Sequence, residues 1–289
     1  MRKIKDDIIE KIIFFCGILS IVFVVLIFGF LIKEGISFFK EFGIVDFIIG
    51  KFWYPSANPP EFGILSLIVG SVLVTVGACI IAVPVGIMAA VYISELAPKQ
   101  IKDILKSLVE LMAAVPSVVI GFVGMVSLAP LVRVFFNIPT GLTAFTGSIM
   151  LAFMAMPTIV TISEDAIRSV PWQYKEGAFA LGATKWQTIR RIVLKAAMPG
   201  IIAAIMLGIG RVIGETMAVM MITGNAAHIP HSIFEPVRTM TATIAAEMGE
   251  TVTGGLHYRA LFAIALVLFF ITFLVNFIAD LFLGRSKNK

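Results

Sequence analysis

The stretch PGIIAAIMLGIGRVIGETMAVMMIT, residues 199–223, is apolar and long enough to cross a bilayer, yet it carries Arg211 and Glu215 four residues apart in its middle. A helix needs about 20 apolar residues to cover ~30 Å of hydrocarbon. Holding an arginine at the centre of such a helix costs about 2.5–3.5 kcal/mol on insertion scales, so the residue calls for a partner, a water-filled cavity or a passing ion. Two readings follow: an anion pathway, or a structural Arg–Glu bridge between packed helices. Gly210 and Gly214 form a G-x-x-x-G, extended by Ala203 and Ala218 on nearly the same face. Small residues at that spacing let another helix approach closely. On one continuous helix Arg211 and Glu215 lie about 100° round from this stripe, so the charged pair borders a helix–helix seam.

Apolar density of this kind recurs along the chain. Of 289 residues, 59% are hydrophobic and only 14% charged, against about 25% charged in ordinary soluble domains. Spans are expected near 12–32, 64–94, 109–132, 142–163, 199–223 and 260–284. The fold class is therefore all-α, a polytopic bundle of six transmembrane helices in a single domain over residues 1–289. The runs are continuously apolar, whereas a strand barrel would alternate in and out over about ten residues. Arg2, Lys3, Lys5 and Lys11 precede the first span like the basic start of a signal peptide, but the run is too long and no small-x-small cleavage site follows. Cys16 and Cys79 stand alone inside the first two spans and read as packing residues.

Lysine and arginine accumulate on the cytoplasmic side of membrane proteins. With the N-terminus inside, the inner segments hold sixteen of the 23 basic residues, the outer segments six, and Arg211 lies within the membrane. Both termini are thus expected in the cytoplasm. The net charge of +5 reflects this topology, and nothing in it points to nucleic acid.

Three connections are long: 33–62 and 224–259 outside, and 164–198 inside. The first is rich in aromatics, among them Phe38, Phe47, Trp53 and Tyr54, and predicts a short interfacial helix. The last outer loop carries His228, His231 and His257 with Glu235, Glu247 and Glu250, too irregularly spaced for a metal site. The inner loop is more orderly. Pro171 suits a first helical turn and Gly182 a stop. Thr184 and Gln187 have capping-box spacing, so a second helix starts there. Trp186, Ile189, Val193 and Ala196 then recur on one side of it. Within the spans, Pro84, Pro116, Pro130 and Pro157 each remove a backbone hydrogen bond, which suggests a core that flexes. Glu110, Glu164 and Asp280 lie near inner ends of spans, where caps or ion pairs are expected.

The inner loop's Glu176-Gly177-Ala178, Gly182-Ala183-Thr184, Ile189 and Ile192-Val193-Leu194 resemble the E-A-A…G loop of permease subunits of binding-protein-dependent ABC importers of the type I, MetI-like fold. Further strings resemble the phosphate-specific, PstC-type permease: AVPSVVIG (114–121), MPTIV (156–160), SEDAI (163–167) and GRVIGETMAV (210–219), with Phe62, Gly63, Leu65 and the pair Gly224-Asn225. Gly177 replaces a usual alanine, and Lys195 a frequent proline.

The resemblance implies a cell-membrane machine that imports inorganic phosphate. It would comprise a paralogous PstA-type permease, a PstB-type ATPase dimer and a PstS-type phosphate-binding protein outside. No G-x-x-x-x-G-K-[ST] loop occurs in the chain, so ATP with Mg²⁺ would be used by the partner, and this chain would be no enzyme and hold no cofactor or metal. Glu176, Gly177, Ala178, Gly182, Ala183 and Thr184 would couple to the ATPase. Arg211, Glu215 and Thr216 would line the substrate path, Arg211 gripping phosphate and Glu215 balancing it. Gly210 and Gly214 would pack helices. Two rivals stay open: a permease for sulfate, molybdate or another oxyanion, and a passive anion channel. An intramembrane hydrolase would need a nucleophile–base pair or metal ligands in the bilayer, and no His lies in any expected span.

Overall fold

The computed structural model describes residues 2–287, with side chains described for residues 9–278. In chain order the helices are α1 (Arg2–Phe39), α2 (Ile44–Ile49), α3 (Leu65–Val91), α4 (Lys99–Ala114), α5 (Ser117–Val123), α6 (Ala129–Phe136), α7 (Ala144–Arg168), α8 (Trp172–Ala180), α9 (Lys185–Thr188), α10 (Leu194–Gly214), α11 (Met217–Ile222), α12 (Met240–Glu247) and α13 (Leu256–Lys287). Between α2 and α3, strands β1 (Trp53–Tyr54) and β2 (Glu61–Phe62) pair antiparallel, Trp53 opposite Phe62. Wider π-turns extend α3 over Tyr92–Leu96, join α5 to α6 over Gly124–Leu128 and join α9 to α10 over Ile189–Val193. Among the described residues, six stretches are long and apolar enough to span a membrane: Ile9–Phe39, Leu65–Leu96, Ser117–Phe136, Ala144–Arg168, Lys185–Gly214 and Leu256–Ile278.

The bundle is organised around α7, which lies between α3 and α10. Its buried Leu151, Ala152, Ala155 and Ile159 meet Val74, Ala78 and Ala82 of α3 and Val212 of α10. Close approach there depends on glycine, since a Cβ on Gly208 would come within 2.6 Å of Ile159 Cγ1. A second cluster gathers the aromatic residues of the 33–62 connection. Phe38, Phe47, Trp53 and Phe62 are fully buried against Leu261 and Ile264, the Phe38 and Phe47 rings 5.0 Å apart. The expected short helix in this loop exists as α2; these rings form a core, while Phe52 and Tyr54 stay exposed. The β1–β2 pairing folds the loop back onto α1, α3 and α13, and burying a large apolar side chain is worth about 1.5–3 kcal/mol.

Three expected span boundaries move. The run placed at 109–132 is split at Val115, which is extended ahead of Pro116; the residue before proline is pushed out of the helical region. What precedes is α4, a separate amphipathic helix, and the span itself starts at Ser117. The run placed at 142–163 continues as helix to Arg168, so Glu164 lies on its last turns. Only 2% of the Glu164 side chain is exposed. It accepts a hydrogen bond from Lys106 Nζ at 3.1 Å, and Lys102 Nζ sits 3.2 Å from its other oxygen, near enough for an ion pair although misaligned for a hydrogen bond. Glu110, by contrast, is exposed. Asp280 falls outside the described side chains, as do the basic residues counted at the two chain ends, Arg2, Lys3 and Lys5, and Arg285, Lys287 and Lys289. The third change, in the run placed at 199–223, bears on function.

Candidate functional site

The fifth span breaks between its two charged residues. α10 stops at Gly214, Glu215 is extended (φ −70°, ψ 130°), and α11 begins only at Met217. Glu215 Oε1 accepts from the Ala218 N–H at 3.2 Å and so caps α11, while Thr216 Oγ1 donates back to the Gly214 carbonyl at 3.1 Å. The expectation that Arg211 and Glu215 sit one turn apart on a continuous helix, one balancing the other, is therefore corrected. The backbone turns away between them, and among the described residues no ion pair includes either side chain. The structural-bridge reading loses its bridge for the same reason.

Arg211 shares an exposed face with Leu207, Gly210 and Gly214, and nothing lies within 4 Å of a Cβ added at either glycine. The adjoining face, with Ile201, Ala204, Gly208 and Val212, is buried. Among the described residues no helix packs against Gly210 or Gly214. Ala218, expected to extend it, is carried off that face by the break and packs on α5, where a Cβ on Gly121 would meet Ala218 Cα at 2.9 Å. The site is thus a guanidinium on an open helix face beside a break, a group able to meet an anion through two parallel N–H donors.

The connection between α7 and α10 forms a second constellation. α8 ends in a turn in which Gly182, at φ +79°, occupies the left-handed region. The Gly182 N–H donates to the Phe179 carbonyl at 2.9 Å and the Ala183 N–H to that of Ala178 at 3.0 Å, the paired bonds of a Schellman stop. Thr184 then caps α9: its hydroxyl accepts from Gln187 N–H at 3.3 Å, and Gln187 Oε1 accepts from Thr184 N–H at 2.9 Å. Around this turn Glu176, Gly177, Gly182 and Thr184 are exposed, Ala183 is half-buried and Ala178 is buried. Leu181 is 90% exposed, with Trp172, Tyr174 and Trp186 also uncovered. The apolar side of the following helix is not the expected one. Ile189 and Val193 are buried, but Ala197 and Ile201 continue the face while Trp186 and Ala196 are exposed. The π-turn at Ile189–Val193 inserts one residue and shifts the register.

Spacing along the chain could not show what anchors α8. Lys175 Nζ lies 2.6 Å from Glu95 Oε1 at the C-terminal end of the second span, the side chains 13% and 10% exposed. Lys175 also stands 5.5 Å over the Trp172 ring, whose Nε1 donates to Glu176 at 2.7 Å. With 80 residues between them, Lys175 and Glu95 carry no local signal of pairing.

Residues 82–288 match the family described as binding-protein-dependent transport system inner membrane component. The chain is 37% identical over 274 residues to the probable ABC transporter permease protein YqgH of Bacillus subtilis (strain 168), covering 94% of this chain and 89% of that one. It is 37% identical over 263 residues to the phosphate transport system permease protein PstC of Mesorhizobium japonicum, covering 84% and 80%. Among solved structures, a bacterial alginate ABC transporter in complex with its alginate pentasaccharide-bound periplasmic protein superposes with a TM-score of 0.64 at 16% identity, covering 95% of this chain and 94% of that one. The inward-facing MetNI methionine ABC transporter gives 0.61 at 17% identity, covering 77% and 97%. At those identities the likeness establishes the fold.

Proposed function

The chain belongs to the family of binding-protein-dependent transport system inner membrane components, and from that premise we propose that it is the transmembrane permease subunit of an ATP-driven importer of inorganic phosphate. Relatives at 32–37% identity carry the phosphate permease name. The observation that carries the chemistry is Arg211, exposed and without an ion pair among the described residues, on the face of α10 that this chain leaves uncovered. In this reading a PstA-type permease closes the path over Gly210 and Gly214, and phosphate passes between the two subunits. The guanidinium fork meets two phosphate oxygens in a charge-assisted contact. Glu215 Oε1 is engaged by α11, which leaves Oε2 to accept from the protonated oxygen of hydrogen phosphate and to repel fully ionised sulfate. Thr216 lines the same break.

The fold is a multi-pass membrane protein, and both termini are assigned to the cytoplasm on the asymmetry of basic residues. ATP hydrolysis with Mg²⁺ falls to a PstB-type dimer that receives the α8–α9 turn, and a PstS-type binding protein delivers phosphate from outside. Labelled phosphate uptake into liposomes holding the whole complex tests this. Uptake that needs ATP and the loaded binding protein, and that yields to unlabelled phosphate but not to sulfate or molybdate, is the expected result. Flux without ATP would mark a passive channel, and competition by the other oxyanions a different substrate.

Coupling gives a further expectation. Lys175→Glu or Glu95→Lys alone sets like charges face to face where the ion pair was. A hydrogen bond between charged groups contributes about 1.5–3 kcal/mol, so either single change should lower phosphate imported per ATP hydrolysed. The swapped double variant should regain most of the loss. A swap no better than the single changes would remove this pair from the coupling path.

A further inference from the structure

The break in the fifth span leaves backbone carbonyls without helical partners at membrane depth, where such groups must be satisfied by protein. Two are met from within the segment itself: the Glu215 N–H donates to Val212 at 3.2 Å and the Thr216 hydroxyl to Gly214 at 3.1 Å. The Glu215 carbonyl is met from farther away. It accepts from Thr241 Oγ1 at 2.9 Å, 26 residues along the chain, and among the described residues this is the hydrogen bond that ties Gly214–Thr216 to an element outside the fifth span and α11.

Thr241 stands on α12, which folds back from the outer loop into the bundle so that Met240, Ala242 and Thr243 are buried. Both ends of α12 are held. At its start, Thr239 Oγ1 accepts from Ala242 N–H at 3.2 Å, and Ser71 of α3 accepts from Met240 N–H at 3.0 Å. At its far end, Glu247 meets Arg238 Nη1 at 2.7 Å, His257 Nε2 at 2.8 Å and Trp53 Nε1 at 3.0 Å, so three separate outer segments converge on one carboxylate. A helix fixed in this way presents the Thr241 hydroxyl at a set position. The ψ of Glu215 then follows from that bond, and with it the angle at which α10 delivers its last turn, which carries Arg211.

We propose that Thr241 is a positioning residue for transport: its hydroxyl, bonded to the Glu215 carbonyl, holds the break in the fifth span and so sets where the Arg211 guanidinium meets the anion. The inference rests on reading Arg211 as the substrate contact. Thr241→Val keeps the shape and removes the donor, and with it the 3.1 Å contact to the Thr239 hydroxyl, whose oxygen can still cap the Ala242 N–H; Thr241→Ser keeps the donor and both bonds.

The whole complex in liposomes, with rates normalised to assembled complex by co-purification, tests it. For Thr241→Val the maximal uptake rate is expected to fall roughly 5- to 10-fold, the effect of one half-buried carbonyl left unpaired. The half-saturating concentration of phosphate-loaded binding protein should stay within about twofold. Amide exchange over residues 214–220 should quicken in the same variant, and Thr241→Ser should restore both rate and exchange. Wild-type exchange in Thr241→Val overturns the brace, and faster exchange with undiminished uptake overturns its role in transport. The exchange measurement needs no substrate. A failure of the Arg211 reading, seen as undiminished uptake by Arg211→Ala, is therefore distinguishable from a failure of the brace.

Discussion

Arg211→Ala is expected to abolish most ATP-driven phosphate uptake while the complex still assembles. A charge-assisted hydrogen bond contributes about 1.5–3 kcal/mol, so losing one contact of that kind in the transport path corresponds to roughly a 10- to 150-fold drop in rate. Assembly should survive because Arg211 forms no ion pair among the described residues and lies on an exposed face. Taking an arginine out of a membrane span also relieves about 2.5–3.5 kcal/mol of insertion cost. Arg211→Lys should fall between wild type and alanine, since lysine keeps the charge and loses the planar fork. The double change Arg211→Met/Glu215→Leu separates the rival account. A structural bridge would be replaced by apolar packing and transport would return, whereas the broken helix predicts a variant as inactive as Arg211→Ala. Uptake near wild type for Arg211→Ala in liposomes would remove the guanidinium from the path.

The second large effect lies at the α8–α9 turn. Gly182→Trp should leave membrane insertion intact and release the ATPase on purification. Two physical effects act together there. A non-glycine residue at φ +79° costs about 1–2 kcal/mol, which strains the Schellman stop that aims Ala183 and Thr184. The new indole also stands on an open surface, since nothing lies within 4 Å of a Cβ at this position. Gly182→Asn divides the two, because asparagine tolerates the left-handed region with little bulk. It should keep the ATPase bound, with weaker retention than wild type. Stoichiometric ATPase on Gly182→Trp would show that the turn is not the docking surface.

Much of this was legible along the chain because its causes are short-ranged. The Gly182 stop and the Thr184–Gln187 capping box involve residues within five positions of one another, and both stand where the sequence places them. Arg211 was legible as an anomaly, since its cost depends only on the apolar residues beside it. The pairing of Lys175 with Glu95 was not, nor the three donors gathered on Glu247, because nothing local distinguishes those side chains from solvated charges. Register was lost for a different reason. Hydrophobic periodicity assumes 3.6 residues per turn, so the π-turn at Ile189–Val193 carries the apolar face from Ala196 to Ala197.

The amino-acid sequence by itself determined six apolar spans, the capped inner turn, the excess of basic residues on one side and an arginine placed where only a partner or an ion could justify it. These are sums over neighbouring residues, and no other part of the molecule alters them. Only the tertiary structure decided that the fifth helix stops at Gly214, that Glu215 caps α11 instead of answering Arg211, and that Gly210 and Gly214 stay open. The reason is competition for the same backbone groups. Whether a carbonyl bonds to the amide four residues on or to a hydroxyl from elsewhere depends on what stands beside it, and Thr241 reaches Glu215 only after α12 has folded back into the bundle.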